Sequence, residues 1–452
     1  MPEIVSINPA TEEINQKFEL TDEKTATKQV MQARYSSKIS KEEPIEDRLV
    51  LLKEVAKILN KRSKRYGEII TKEMGKPITQ AVAEVEKCAS VCEYYAKNAE
   101  KFLADEKIEV DGTNAYTSYE PLGTIMGIMP WNFPFWQVLR FAAPTIAAGN
   151  SIVVKHASNV PICAKEIEDV FLEAGFRKGT YTNLVISSSV ATALVDKNLV
   201  EGISFTGSTE IGSKVGEMAG RNIKKVVLEL GGSDPYIVLN GADVKKAAQM
   251  AVTARFQNCG QSCVAAKRFI IDREITEEFT SELLAGIDNL VMGDPSDSKT
   301  TLGPMARADL RKELANQLQE MKNEGAKVLT GGKMPSRKGY YFEPTVIESN
   351  KKSEAAMKET FGPVATIMIA KDIDEAIEIA NMTEYGLGAS LWTNDKSETL
   401  VRKIDAGFVV VNNMVKSDPA VPFGGIKRSG LGRELGKEGI YEFVNKKSVL
   451  IN

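Results

Sequence analysis

From residue 123 onward short β-branched runs alternate with longer amphipathic ones, and this alternation limits the fold more than any other feature of the chain. It predicts strand 123–128, helix 134–146, strand 151–155, helix 162–174, strand 182–186, helix 188–197, strand 202–205, helix 208–219 and strand 225–230. Two parallel neighbouring strands need a long crossover, usually a helix, so the series predicts a doubly wound parallel sheet. A second α/β series runs from 231 to about 411, with helices at 243–257, 275–289, 307–324, 372–381 and 396–404. Ahead of both, residues 44–104 are helical. In 48–60, Leu49, Leu51, Leu52, Val55, Ala56 and Ile58 recur at helical spacing, and 62–74 and 80–102 follow, parted by Gly75-Lys76-Pro77. The first forty residues predict only a short strand near 4–7 and a helix over 23–37. Residues 107–119 predict a β-hairpin turning at Asp111-Gly112. A Gly-rich return, 423–432, precedes a last helix and a strand ending at Leu450.

Composition then removes whole classes of function. A net charge of -3 and a pI near 5.7 leave no basic footprint, so no nucleic-acid partner is expected. No run of about eighteen apolar residues occurs, and Met-Pro-Glu-Ile-Val-Ser lacks a basic region before an apolar core. Neither a membrane span nor a signal peptide is expected. Five cysteines are too few and too scattered for a secreted disulfide framework, which places the protein in the cytoplasm. A single histidine, His156, argues against a hydrolase with a His base and against a zinc site, so no metal is expected.

The candidate site residues stand at strand ends. Cys263, in Gly260-Gln261-Ser262-Cys263, sits on a turn before the strand-like Phe269-Ile270-Ile271; a reactive thiol and a packed one both fit. Cys259, four residues earlier, leaves a redox pair formally open. Cys88 and Cys92 fall one turn apart in an apolar helix and read as core. Gly207-Ser208 closes a strand and opens a helix, where backbone N–H groups favour a phosphate, although a plain Ser N-cap explains it equally. Lys155 ends a strand at the edge where open α/β sheets take ligands. Glu229 ends another, beside Gly231-Gly232; desolvation there would raise its pKa and suit it to accept a proton, and an N-cap or salt-bridge role fits equally. Asn132, in Pro130-Trp131-Asn132-Phe133-Pro134, can offer an amide N–H to an oxyanion or cap a helix. Phe133, Trp136, Gln137 and Arg140 share a helical face beyond it.

Taken together the segments are more specific. Pro130-Trp131-Asn132-Phe133-Pro134, Phe205-Thr206-Gly207-Ser208-Thr209-Glu210-Ile211-Gly212, Leu228-Glu229-Leu230-Gly231-Gly232, Gly260-Gln261-Ser262-Cys263, Glu359-Thr360-Phe361-Gly362-Pro363 and Pro422-Phe423-Gly424-Gly425 follow in order. With them the chain resembles the aldehyde dehydrogenase superfamily over essentially its full length. That resemblance implies an α/β fold: a Rossmann-like cofactor-binding domain (1–106 and 120–230, with 412–432 returning to it), a catalytic domain (231–411), and an oligomerisation segment (107–119 and 433–452). It implies Cys263 as nucleophile, Asn132 and the Cys263 N–H as oxyanion donors, and Glu229 as activator of water. Cofactor contacts fall to Trp131, Lys155, Ser158, Gly207, Ser208, Leu230, Glu359 and Phe361. Substrate contacts fall to Phe133, Trp136, Gln137, Arg140, Ser262, Ser417 and Phe423. A homodimer or homotetramer is implied, and Cys259 has no required role.

Two departures refine this expectation. NAD-preferring members commonly read Lys-Pro-Ser-Glu where this chain has Lys155-His156-Ala157-Ser158; without that Glu, Lys155 can pair with a 2′-phosphate, favouring NADP with NAD possible. Arg140, at a position apolar in enzymes for apolar aldehydes, can clamp a carboxylate and resembles the short branch of succinate-semialdehyde dehydrogenases. Other members carry a second arginine where this chain has Gln257, so aliphatic aldehydes, glyceraldehyde and its 3-phosphate (oxidised without phosphorylation) stay open as alternatives. Glu229 argues against acyl transfer to coenzyme A, and the presence of Cys263, Asn132 and Glu229 argues against an inactive scaffold.

Overall fold

The computed structural model describes residues 2–111, 113–394 and 397–451. Its first large sheet has six strands in the order Gly430–Leu431, Lys225–Glu229, Gly202–Thr206, Thr124–Met129, Ser151–His156 and Tyr181–Asn183. All neighbours run parallel except the short Gly430–Leu431 edge. The chain starts in the middle at Thr124–Met129, builds outward to Tyr181–Asn183, then returns to the other side of the starting strand with Gly202–Thr206. That reversal leaves a crevice at the carboxyl ends, where doubly wound sheets bind ligands. Period-2 alternation gives each strand two apolar faces: Ile125, Ile152, Val154 and Val227 join one core, Met126, Val153, Ile203 and Leu228 another.

A seven-stranded sheet follows, ordered Lys327–Thr330, Thr345–Glu348, Val364–Ala370, Arg268–Asp272, Pro235–Val238, Gly388–Trp392 and Phe408–Val411. Only the Lys327–Thr330 edge is antiparallel. A third sheet pairs Glu106–Val110 and Thr113–Pro121 with Val444–Ile451.

Most expected elements form within a few residues, and the differences have local causes. Helix 134–146 is observed as Trp136–Ala147. The Glu84 carboxylate accepts the Phe135 and Trp136 N–H groups at 3.0 and 3.1 Å, so the helix begins there and Phe133 and Pro134 lie in the preceding turn. Strand Ile14–Glu19, which pairs with Glu3–Ile7, has no expectation behind it; an exposed ribbon needs no apolar alternation. Val444–Ile451 is longer than its apolar end suggests because Asn445–Ser448 face solvent. The expected hairpin turn includes Gly112, and helix 396–404 (observed as Ser397–Val401) begins at residue 396; both positions lie outside the described residues.

Candidate active site

The two sheets meet end to end. Glu229 closes a strand of the first, and Pro235 opens one of the second after a short link. Pro235–Val238 pairs in parallel with Arg268–Asp272, which pairs in parallel with Val364–Ala370. The segments entering these three strands carry Leu230–Gly232, Ser262–Cys263 and Glu359–Phe361, so parallel register alone gathers them. Their approach is close: a Cβ on Gly232 would lie 3.0 Å from the Cys263 carbonyl oxygen, and one on Gly231 2.5 Å from a Glu359 oxygen.

Cys263 is half-buried, whereas Cys88, Cys92, Cys163 and Cys259 are buried. Lys267 fixes its loop, its ammonium donating to the carbonyl oxygens of Ser262 (3.0 Å) and Cys263. Asn132 comes from the opposite side and donates through Nδ2 to the Gln261 carbonyl, 3.0 Å away; its Oδ1 has no partner. Among the described residues the Cys263 N–H has no acceptor, and Asn132 and Cys263 line one cavity. Burial pushes the Cys263 thiol up to about 11, against the pull of Arg140 and Lys267. Burial also holds the Glu229 carboxyl well above the usual range, Arg140 lowering it and Glu434 raising it further; both its oxygens lack hydrogen-bond partners.

Two cavities adjoin this centre. The first, about 270 Å³, is walled by Trp131, Asn132, Gly207, Ser208, Glu229, Leu230, Glu359 and Phe361, with Cys263 and Gln137 at its end. Trp131 and Phe361 meet edge to face, 5.8 Å between centroids. The helix Thr209–Arg221 opens at this wall, its Ser208 cap accepting the Ile211 N–H, and the buried Thr206 hydroxyl has no partner. A Cβ on Gly207 would meet the Phe205 ring at 2.5 Å, so only glycine keeps this wall open. Lys155 and Ser158 line a separate small cavity with His156. Burial lowers the Lys155 ammonium, and among the described residues no carboxylate pairs with it. Burial takes His156 down to about 3, so its ring is neutral wall. Orphaned polar groups, a helix N-terminus at the cavity wall and an unpaired lysine fit a dinucleotide carrying phosphates.

The second cavity, about 310 Å³, adjoins the first at Cys263 and Gln137, which among the described residues border both spaces. Phe133, Trp136, Gln137, Arg140, Ser262, Ser417 and Phe423 all line it, as does Gln257. Arg140 is not the free cation expected from sequence. It is buried, its guanidinium lies 4.8 Å from the Phe423 ring centroid, and its Nε edge faces the buried Glu434 carboxylate. Nη2 is left without a partner, so one edge of the expected two-bond clamp is already occupied.

Sequence reasoning missed four groups here. Lys76, read as a helix break, is buried, pairs with Glu84, donates to the Asn132 carbonyl at 3.0 Å and lies 3.7 Å from the Phe133 ring centroid. This pair fixes the turn carrying Asn132. Glu434 stands behind Arg140. Lys87, on the helix Ile78–Leu103, lines the second cavity. A signal existed: Gln80, Glu84, Lys87 and Ser90 form a polar stripe at helical spacing in the first half of their helix.

A family model described as the aldehyde dehydrogenase family matches residues 2–449. The chain belongs to that family. The probable succinate-semialdehyde dehydrogenase [NADP(+)] of Synechocystis sp. (strain ATCC 27184 / PCC 6803 / Kazusa) is 44% identical over 99% of both chains. The succinate semialdehyde dehydrogenase [NAD(P)+] of Escherichia coli (strain K12) is 43% identical over 98% of this chain and 97% of its own. Among solved structures, the succinic semialdehyde dehydrogenase of Streptococcus pyogenes in complex with NADP+ superposes with a TM-score of 0.97 at 36% identity, covering 99% of each chain. This aldehyde dehydrogenase therefore has the α/β fold of its family throughout.

Proposed function

We propose that this protein oxidises succinic semialdehyde to succinate with NADP, NAD being accepted less well, in the cytoplasm and as a homo-oligomer. The observation that carries the reading is the position of Cys263, whose sulfur borders one cavity suited to a dinucleotide and another that ends in cations. An aldehyde entering the second cavity presents its carbonyl to that sulfur. Forming the thiohemiacetal requires removal of a proton from a thiol held near 11, and Glu229, likewise raised by burial, is a carboxylate bordering the same space. The Asn132 amide and the Cys263 N–H stabilise the oxyanion. When bound, the nicotinamide supplies the acceptor for the hydride that leaves this carbon, which converts the adduct to a thioester. Once the thiol proton has passed from Glu229 to solvent, Glu229 takes a proton from the attacking water; the acid leaves and Cys263 is regained as thiolate or, on reprotonation, thiol.

The lone Lys155, with Ser158 rather than a carboxylate beside it, supports the preference for a 2′-phosphate. The residue ranges given above for the cofactor and catalytic domains belong to the same proposal. Ile108, Val110, Leu450 and Ile451, exposed on the three-stranded sheet, support its role in subunit contact. Cys263→Ala tests the reading: it should bind NADP, seen by quenching of tryptophan fluorescence, and oxidise no aldehyde. Residual turnover of succinic semialdehyde would move the nucleophile elsewhere.

A further inference from the structure

We propose that Lys87 is a second cation for the substrate's distal carboxylate, acting with the Ser417 hydroxyl at the far end of the second cavity. The inference rests on the semialdehyde reading above and adds a residue to it. Lys87 reaches the cavity from the helix Ile78–Leu103, while Ser417 comes from the loop after the last strand of the second sheet. The Lys87 ammonium donates to the Ser417 hydroxyl at 2.7 Å and stands 4.0 Å from the centroid of the Trp136 ring. A hydroxyl and an aromatic face can orient a cation without neutralising it. Among the described residues no carboxylate lies within ion-pairing distance of it.

Its surroundings make the absence of a counter-ion consequential. Arg140 faces it from the helix Trp136–Ala147 and Lys416 from the loop that bears Ser417, both of the same sign. On its own helix, Glu84 is committed to Lys76 and to the Phe135 and Trp136 N–H groups, and Cys88 is a buried thiol held far above the usual range. Asp418 lines the cavity but forms no ion pair with Lys87. Burial first, then Lys416 and Arg140, bring the Lys87 ammonium down to about 7. An anion arriving at this end relieves the desolvation and the like-charge repulsion together. Arg140, with its Nε edge turned to Glu434, keeps only its Nη edge for a carboxylate. An ammonium has three donors; with one on Ser417, the others are open to the ligand. A molecule with a carbonyl at Cys263 and an anion at Lys87 is a short ω-oxo carboxylate.

The test compares succinic semialdehyde with butanal, matched in length and lacking the carboxylate, in wild type, Lys87→Met and Lys87→Arg, with NADP saturating. Lys87→Gln is carried in case Lys87→Met does not fold, as judged by NADP binding. The expected result is a fall of about tenfold or more in the kcat/KM ratio of semialdehyde to butanal in Lys87→Met, carried by KM, with Lys87→Arg retaining most of it. Because the folded ammonium is lowered, its charge fades as pH rises through about 7 toward 9. In wild type the KM for the semialdehyde should rise over that range, while that for butanal does not follow it. In Lys87→Arg the guanidinium stays charged and the rise should vanish. A wild-type preference left intact in Lys87→Met overturns the role of Lys87 alone. Absence of any wild-type preference for the carboxylate, or a larger one for glyceraldehyde 3-phosphate, overturns the semialdehyde reading and this proposal with it.

Discussion

Replacing Arg140 by Met separates substrate recognition from the internal work of the same side chain. If its guanidinium pairs with the substrate carboxylate, losing it should cost roughly 2–4 kcal/mol of transition-state stabilisation for succinic semialdehyde. At about 1.4 kcal/mol per decade this is roughly 30- to 700-fold in kcat/KM. The structure shows why the single variant will mislead. Arg140 also faces Glu434 in a buried pair, and its charge lowers both Cys263 and Glu229. Removing it strands a buried carboxylate, a loss on the order of 3–5 kcal/mol of stability unless Glu434 takes up a proton. It also raises the nucleophile and the base together, slowing every aldehyde. Arg140→Met with Glu434→Gln removes the stranded charge, so its thermal midpoint should recover toward wild type. What survives in the double variant is the selective term: the kcat/KM ratio of succinic semialdehyde to hexanal, read with NADP. A ratio that stays at the wild-type value in the folded double variant would refute a carboxylate contact by Arg140.

Two further outcomes follow from the same site. Ser158→Glu places a carboxylate beside the unpaired Lys155 and should shift the NADP-to-NAD ratio of KM by roughly tenfold against NADP; steady-state kinetics with both cofactors would show it, and an unchanged ratio would mean that other groups read the 2′-phosphate. Since burial holds the Cys263 thiol near 11, about one molecule in a thousand carries the thiolate at pH 8. Iodoacetamide inactivation of the cofactor-free protein should therefore accelerate about tenfold per pH unit between pH 7 and pH 10. A plateau below pH 8 would show that Arg140 and Lys267 outweigh burial.

Much of this was legible in the chain because it depends on local pattern. Strand–helix alternation exposed the doubly wound sheet, and the segments at strand ends exposed Asn132, Glu229 and Cys263. Parallel register then does the rest, since residues entering neighbouring strands must lie side by side. What stayed hidden depends on side chains that cross between elements. Nothing near Gly75-Lys76-Pro77 says that Lys76 will reach Glu84 and Asn132, because that contact needs the packing of a helix against a turn fifty-six residues later. Glu434 could not be paired with Arg140 for the same reason. Lys87 left only its polar stripe, which an exposed helix face would also produce.

Three cations around the site share a physical property that bears on how it works. Buried Lys76 has Glu84, buried Lys267 has the half-buried Glu359 at 3.7 Å, and buried Arg140 has Glu434. Buried pairs rarely add net stability over an apolar core of the same volume, so their presence around Cys263 needs another account. Each holds a piece of the reacting centre: Lys76 the Asn132 carbonyl, Lys267 the carbonyls of Ser262 and Cys263, Arg140 the electrostatic balance of thiol and base. A side-chain amide and a backbone N–H that must meet one oxyanion cannot tolerate turns that drift, and charged hydrogen bonds in a water-poor interior resist such drift better than methyl contacts do. By this reasoning the stability given up to desolvation fixes the positions of Asn132 and Cys263 before any aldehyde arrives.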